Sequence, residues 1–337
     1  MNTFIIAELS ANHNHKKEIA FKTIEAAKKA GADAVKIQTY TADTMTLDCD
    51  NEHFQINHGS LWDGKTLYEL YQQAYTPWEW HKELFNHAAE LGIPLFSTPF
   101  DKTAVDFLET LNNPIYKIAS FEITDIPLIE YAASMHKPMI ISTGIATLQE
   151  IEEAVSACKK TGNNDITLLK CTSSYPAPLK EANLLTIPDM ITKFNCKVGL
   201  SDHTLGDVCA CAAVALGAKV IEKHFIIDRS IGGPDAAFSM EVEEFAVMVK
   251  RIRETEKCLG CVSYELSELS KKSRKFSRSL FAVKDIQKGE IFTEENIRSI
   301  RPGDGCSPKY LPELLGTKSD KEYKRGEPLI YEPATNN

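Results

Sequence analysis

Over roughly the first 260 residues, short β-branched runs alternate with longer segments whose apolar positions recur every three to four residues. The short runs are FIIAEL from Phe4, AVKIQTY from Ala34, PLFSTP from Pro94, IYKIAS from Ile115, PMIIST from Pro138, ITLLKCT from Ile166, KVGLSDH from Lys197 and VIEKHF from Val220. Each is followed by a helical stretch. KEIAFKTIEAAKKAGA, WEWHKELFNHAAELG, LQEIEEAVSACKKTG and DVCACAAVALG all end at or near glycine, the expected C-cap. Asp101, in STPFD, is placed to cap the third helix. Eight strand–helix units predict a closed parallel (β/α)8 TIM barrel over residues 1–262. A doubly wound open sheet, the main competitor, would usually carry a glycine-rich first turn, and ELSANHNHK has none.

Two stretches break the alternation. TADTMTLDCDNEHFQINHGSLWDGKTLYELYQQAYTP separates the second strand from the second helix, and a loop of that length in a compact domain is usually functional. It is expected to lie over the C-terminal mouth of the barrel. Residues 263–279, around ELSELSKKSRKFSR, are polar and read as a linker. Residues 280–337 show short strands with turns at Lys288-Gly289 and Arg325-Gly326, predicting a second small domain. Its size is marginal for a stable core unless it packs on something else.

Composition narrows the classes of function. A net charge of −9 argues against a nucleic-acid partner, because a phosphate backbone demands a basic face. No run of eighteen apolar residues occurs, so no membrane span is expected. The N-terminal MNTFIIAELSANHNHKK carries an acidic residue where a signal peptide would be apolar, and reads as a first strand. Nine scattered cysteines fit buried free thiols in a reducing cytoplasm. Cys258 and Cys261 form a lone CxxC without a second pair at zinc spacing, and Cys209 and Cys211 read as helix packing. Trp62, Trp78 and Trp80 cluster about the long insertion; packing is their default role, and a lid or sugar-stacking role stays open.

In such barrels the reacting groups come from the C-terminal ends of the strands. Those ends supply Glu8, Lys36 with Gln38, Thr98, Lys117 with Ser120 and Glu122, Ser142, Lys170 with Thr172, Ser201 with His203, and Glu222 with His224. Solvent-facing strand ends would explain one or two of these. They do not explain lysines set inside apolar strands, as in AVKIQ and YKIAS, because an unpaired buried ammonium is costly. For Lys36 and Lys117 the pattern favours a ligand carrying phosphate, carboxylate or both over an internal ion pair. For Lys170 a structural partner such as Glu222 stays open. His203 and His224 end neighbouring strands, where two imidazoles can share a divalent ion with Glu8 or Asp235 nearby; hydrogen-bonded structural histidines remain the alternative.

AELSANHN, VKIQTYT, STPF, YKIASFE, STG, KCTSSYP, GLSDHT, ALGA with IEKHF, and GGPD together resemble the sialic acid synthase family. SRSLFAVKDIQKGE and IRPGDG are similar to that family's C-terminal domain, an antifreeze-like SAF (β-clip) domain. LWDGKTLYELYQQAYTPWEWH, with SANHN and QTYTAD, looks most like the pseudaminic acid synthase branch. The resemblance implies condensation of phosphoenolpyruvate with an open-chain acetamido sugar, giving a nine-carbon 2-keto acid and phosphate. In this branch the sugar is 2,4-diacetamido-2,4,6-trideoxy-L-altrose. It further implies a divalent ion on His203 and His224, manganese before magnesium or cobalt, which polarises the sugar aldehyde for attack by C3 of phosphoenolpyruvate. Water then adds at C2 and phosphate leaves by C–O cleavage.

Matched residue by residue, Lys36 and Lys117 hold the phosphoenolpyruvate anions, helped by Thr98, Ser120, Ser142 and Ser201. Glu122 handles a proton or positions the attacking water. The resemblance implies that Glu8, Gln38, Tyr175 and Asp235 face the sugar and that Arg301 reaches the active site of the other subunit in a domain-swapped homodimer. Ser173, in KCTSSYP, stands where neuraminate-type enzymes carry asparagine, so their ligand contacts do not transfer simply. The competing readings are an N-acetylneuraminate or legionaminate synthase, a Schiff-base aldolase using a barrel lysine, and a non-catalytic sugar- or ice-binding protein.

Overall fold

The structure, a computed structural model, describes residues 2–57, 59 and 61–332. It contains two compact units, Met1–Gly260 and Cys261–Asn337. All eight predicted strands form in the first: β1 Phe4–Glu8, β2 Ala34–Thr39, β3 Leu95–Pro99, β4 Tyr116–Ile118, β5 Met139–Ser142, β6 Ile166–Cys171, β7 Lys197–Asp202 and β8 Val220–His224. They pair in parallel and in sequence order, and β1 closes the barrel by pairing with both β2 and β8.

The helices of this unit are α1 Lys17–Lys29, α2 Ala42–Met45, α3 Leu67–Ala74, α4 Trp78–Leu91, α5 Lys102–Thr110, α6 Ile126–Ala133, α7 Leu148–Lys160, α8 Thr186–Phe194, α9 Val208–Ala215 and α10 Val242–Leu259. Asp101 caps α5 as expected, its carboxylate accepting from the Thr103 and Ala104 amides. Gly92 ends α4 with a left-handed φ of 67°.

Alternation along the strands sorts side chains into two cores. Ile5, Val35, Ile37, Tyr116, Ile141 and Leu168 face outward and meet the helices. Ile6, Ala34, Phe96, Ile140, Leu169 and Val220 fill the barrel interior. This inner plug lies one step below Glu8, Lys36, Thr98, Ser142 and Glu222 on the same strand faces, so the polar residues form the layer above it. Gly199 is needed in that interior, because a Cβ there would stand 2.3 Å from the Val220 carbonyl oxygen.

The insertion after β2 is more ordered than a loop. It holds α2 and α3, each opened by a reciprocal cap, Thr41 with Thr44 and Thr66 with Glu69. Trp78 stacks on Phe107 at 4.7 Å and Trp80 packs against the outer core, so both are structural. Among the described residues no helix is long and apolar enough to cross a membrane. All nine cysteines are free.

The second unit contains α11 Glu268–Ser273, an antiparallel pair β9 Ser279–Ala282 and β10 Ile297–Ile300, and α12 Leu311–Leu314. The stretch 263–279, read from composition as a linker, carries α11, capped by Ser267, and a short 3-10 turn at Arg274–Phe276. Leu280, Ala282, Ile286, Phe292, Ile297, Leu314, Tyr323 and Leu329 make the small core. The turns at Gly289 and Gly326 form with φ near 85° and 88°, which glycine adopts freely.

Candidate active site

The polar layer gathers at the C-terminal ends of the strands. Register sets Glu8 beside Lys36 on one side and beside His224 on the other, and sets Ser201 beside Glu222. Lys36 and Lys117 are buried, and both already have anions within the protein. Lys36 Nζ lies 2.6 Å from Glu8 Oε2 and 3.7 Å from Glu222 Oε1; Lys117 Nζ lies 3.9 Å from the same Glu222 oxygen. The preference for a ligand over an internal pair is therefore amended in one respect: internal carboxylates also serve these lysines. Two ammoniums share two carboxylates before any ligand arrives, which is how burial of all four becomes tolerable.

The balance is uneven. Burial would lower Lys36, but Glu222 and Glu8 override it and hold it above the ordinary lysine value. Burial and the Lys36 charge push Lys117 down, against Glu222. Burial would raise Glu222, yet Lys117 and Lys36 keep it below the usual carboxylate range. Glu8 is pushed up to about 7, burial outweighing Lys36. Lys117 is the ammonium with charge to spare, since its other contact is the Ile118 carbonyl at 3.0 Å.

Hydroxyls surround this pair. Thr98 accepts from Lys36 at 3.3 Å, Ser201 donates to Glu222 at 3.3 Å, and Ser120 accepts from the Gly144 amide at 3.1 Å. The buried Ser142 Oγ and Glu222 Oε2 have no hydrogen-bond partner among the described residues. Buried polar atoms seldom go unpaired in a folded protein, so both fit contact with a ligand.

Strand parity corrects one predicted position. Lys170 shares the outward face of Leu168 and donates to the Cys171 carbonyl at 2.7 Å, so it does not pair with Glu222. Cys171 faces the mouth instead, with its thiol 3.8 Å from His203 Nδ1. Outward-facing Lys223 is also buried; its ammonium meets Asp202 at 2.7 Å and the Gly206 carbonyl at 2.9 Å, pinning the turn that follows His203.

The His203 and His224 rings stand 5.4 Å apart. His203 Nδ1 donates to the Thr172 carbonyl at 3.0 Å, which fixes the orientation of the ring. Burial, then the charges of His203 and Lys36, hold His224 well below its usual value, so it is neutral. Its Nδ1 has no hydrogen-bond partner and lies 3.7 Å from Asp235 Oδ2. Burial would lower His203, but Cys171 and the Thr172 carbonyl override it and hold it above the usual histidine value, so two oriented imidazoles would suit a divalent ion once His203 gives up its proton. No group of three or more His, Cys, Asp or Glu residues that could hold an ion occurs among the described residues. Tyr175 lies over this side, its ring 4.4 Å from His203 and 5.8 Å from Trp62.

A cavity of about 190 Å³ is lined by His224, with Gln38, Glu122 and Asp235 among its polar groups. Gln38 donates to Glu8 at 3.1 Å and Ser10 at 3.0 Å. A larger hollow of about 510 Å³ around Ile93, Pro94, Leu111 and Asn112 gathers no titratable group. Arg301 is exposed in the second unit and precedes the cis peptide bond to Pro302. Glu222, paired with both Lys36 and Lys117, was placed by strand-end reading only as a possible partner of Lys170. Parity with His224 was the available signal.

Glu122 sits in a 3-10 turn after β4, with Oε2 buried and unpartnered; burial, only partly offset by Lys117, lifts its carboxyl to about 7. The native state therefore keeps a proton that the unfolded chain releases near 4.5, and stability declines between the two values. Glu122→Gln removes that decline: relative to the parent it should gain roughly 1–3 kcal/mol between pH 4.5 and pH 8. Urea melts at both pH values check this, and a pH-independent difference would contradict it.

Comparison with known proteins agrees with this geometry. Residues 23–264 match the NeuB family and residues 277–331 the SAF domain. The chain is 51% identical over 326 residues to the pseudaminic acid synthase of Campylobacter jejuni, covering 97% of this chain and 95% of the relative. It is 41% identical to the N,N'-diacetyllegionaminic acid synthase of the same species, covering 98% and 99%. The crystal structure of the N-acetylneuraminic acid synthetase of Leptospira borgpetersenii superposes with a TM-score of 0.73 at 33% identity, covering 81% of this chain and 90% of that one. With a matching barrel, a matching C-terminal domain and relatives aligned over nearly their whole length, the chain belongs to the NeuB family.

Proposed function

We propose that this protein condenses phosphoenolpyruvate with 2,4-diacetamido-2,4,6-trideoxy-L-altrose and water, giving pseudaminic acid and phosphate in the cytoplasm. The reading is carried by an anion site built on Lys36 and Lys117 meeting two adjacent histidines at one barrel mouth, in a chain half identical to a pseudaminic acid synthase. Lys117, with Lys36, Thr98, Ser120, Ser142 and Ser201, holds the phosphate and carboxylate. His203 and His224 hold a divalent ion, manganese first, with magnesium or cobalt as substitutes. When bound, the ion supplies Lewis-acid polarisation of the aldehyde oxygen.

C3 of phosphoenolpyruvate then forms the new carbon–carbon bond, water adds at C2, and the C–O bond to phosphate breaks. Glu122, with a carboxyl value near 7, takes the proton from that water. Gln38, Tyr175 and Asp235 orient the sugar. Glu8 acts one step back, because its two oxygens are engaged by Gln38 and Lys36.

Arg301 completes the site from the other subunit of a homodimer. An association surface is supported by the exposed apolar side chains of Val262, Tyr264, Leu269 and Phe276 just after the barrel.

Phosphate release from phosphoenolpyruvate, measured against diacetamido-trideoxyhexoses of altro and manno configuration and N-acetylmannosamine, tests the assignment. The altro sugar is expected to give the highest kcat/KM by at least about tenfold, the usual value of one good contact. Preference for N-acetylmannosamine or the manno sugar would refute it while leaving the chemistry intact.

A further inference from the structure

The cavity lined by His224 is of mixed character. Besides its polar groups it is lined by Met45, Leu70, Tyr71, Phe100 and Phe121. Three of these, Met45, Leu70 and Tyr71, come from the insertion after β2, and no barrel strand supplies that wall. Met45 closes α2, and Leu70 and Tyr71 sit on α3; both helices have their first turns fixed by reciprocal caps. Tyr71 meets the ring of Tyr40 edge-on at 5.7 Å, and Tyr40 meets Phe100 at 5.1 Å. The insertion is tied to the loop after β8 where the Trp62 indole donates to the Pro234 carbonyl at 3.1 Å. Phe121 stands at the rim, 58% exposed, without the covering expected of a packing phenylalanine.

From this arrangement we infer that the insertion is the specificity element of the enzyme: its apolar wall receives a methyl-bearing substituent of the sugar. The inference rests on the reaction proposed above and adds the residues that choose among its sugars. A hydroxyl placed against Met45 and Leu70 would lose water without gaining a partner, whereas a methyl group loses nothing. The sugar has two kinds of methyl group, one at C6 and one on each acetamido group. The wall's chemistry suits either, so the test separates them.

With the manganese-loaded full-length enzyme at saturating phosphoenolpyruvate, kcat/KM is measured by phosphate release for three sugars. These are the 2,4-diacetamido-2,4,6-trideoxy-L-altrose, its 6-hydroxy counterpart, and the counterpart with a hydroxyl replacing the 4-acetamido group. The parent sugar is expected to exceed at least one counterpart by about 10²-fold, the most an apolar pocket achieves against an added hydroxyl. Met45→Gln keeps side-chain length and adds an amide; Phe121→Ser changes an exposed position that cannot unfold the barrel. Each should reduce that preference at least about fivefold with the KM for phosphoenolpyruvate unchanged. The counterpart whose ratio moves identifies the methyl group. Unchanged ratios in both variants, with the parent sugar still turned over, would overturn the wall alone. Turnover of N-acetylmannosamine in preference to all three would overturn the underlying reaction assignment, and the wall with it.

Discussion

Replacing His203 or His224 by alanine is expected to lower phosphate release by about 10³-fold or more, the rate equivalent of the several kcal/mol a Lewis acid contributes. The two rings are 5.4 Å apart, and among the described residues no third donor joins them in a metal-holding group, so the loss of one imidazole is expected to release the ion. Titration calorimetry with manganese should show one site per chain in the parent and none in either variant, with unchanged circular dichroism. EDTA should abolish turnover and manganese restore it. Full activity in EDTA, with borohydride trapping substrate on Lys36 or Lys117, would replace this mechanism by a Schiff-base one.

The largest effect on stability is expected from Glu222→Ala. Glu222 is 5% exposed and is the carboxylate that both lysines share. Its loss leaves two buried ammoniums facing only Glu8, and breaking such a network costs about 3–5 kcal/mol. For a barrel of this size that is a fall in Tm of roughly 6–20 °C. Phosphoenolpyruvate should recover part of the loss, because its phosphate or carboxylate brings back the missing negative charge. Differential scanning calorimetry with and without phosphoenolpyruvate measures both. A Tm within 2 °C of the parent would show that the lysines do not depend on Glu222.

The contrast between these two sites explains what the sequence made legible. His203 and His224 were visible because each ends a recognisable strand, and strand order alone makes them neighbours. The neutralisation of Lys36 by Glu8 was not visible, since it depends on how far β1 slides along β2, a property of barrel stagger that no single strand encodes. Lys170 was misplaced by one residue of parity. Leu169 belongs to the inner plug, so Lys170 must face out and Cys171 in. The helices of the insertion were legible in part: Thr66-Leu67-Tyr68-Glu69 is a capping-box pattern ahead of an apolar turn, passed over inside a long polar stretch. Which wall those helices would form, and opposite which groups, depends on tertiary placement.

The β1–β8 seam carries a consequence for biogenesis. Glu8 is on the first strand of the barrel to be synthesised, whereas Glu222 and His224 are on the last, next to it in register. A nascent chain that has not yet exposed β8 owns Lys36 and Lys117 but lacks the carboxylate between them, and sealing those ammoniums away from water is then prohibitive. Closure of the cylinder and neutralisation of its interior thus arrive with the same strand.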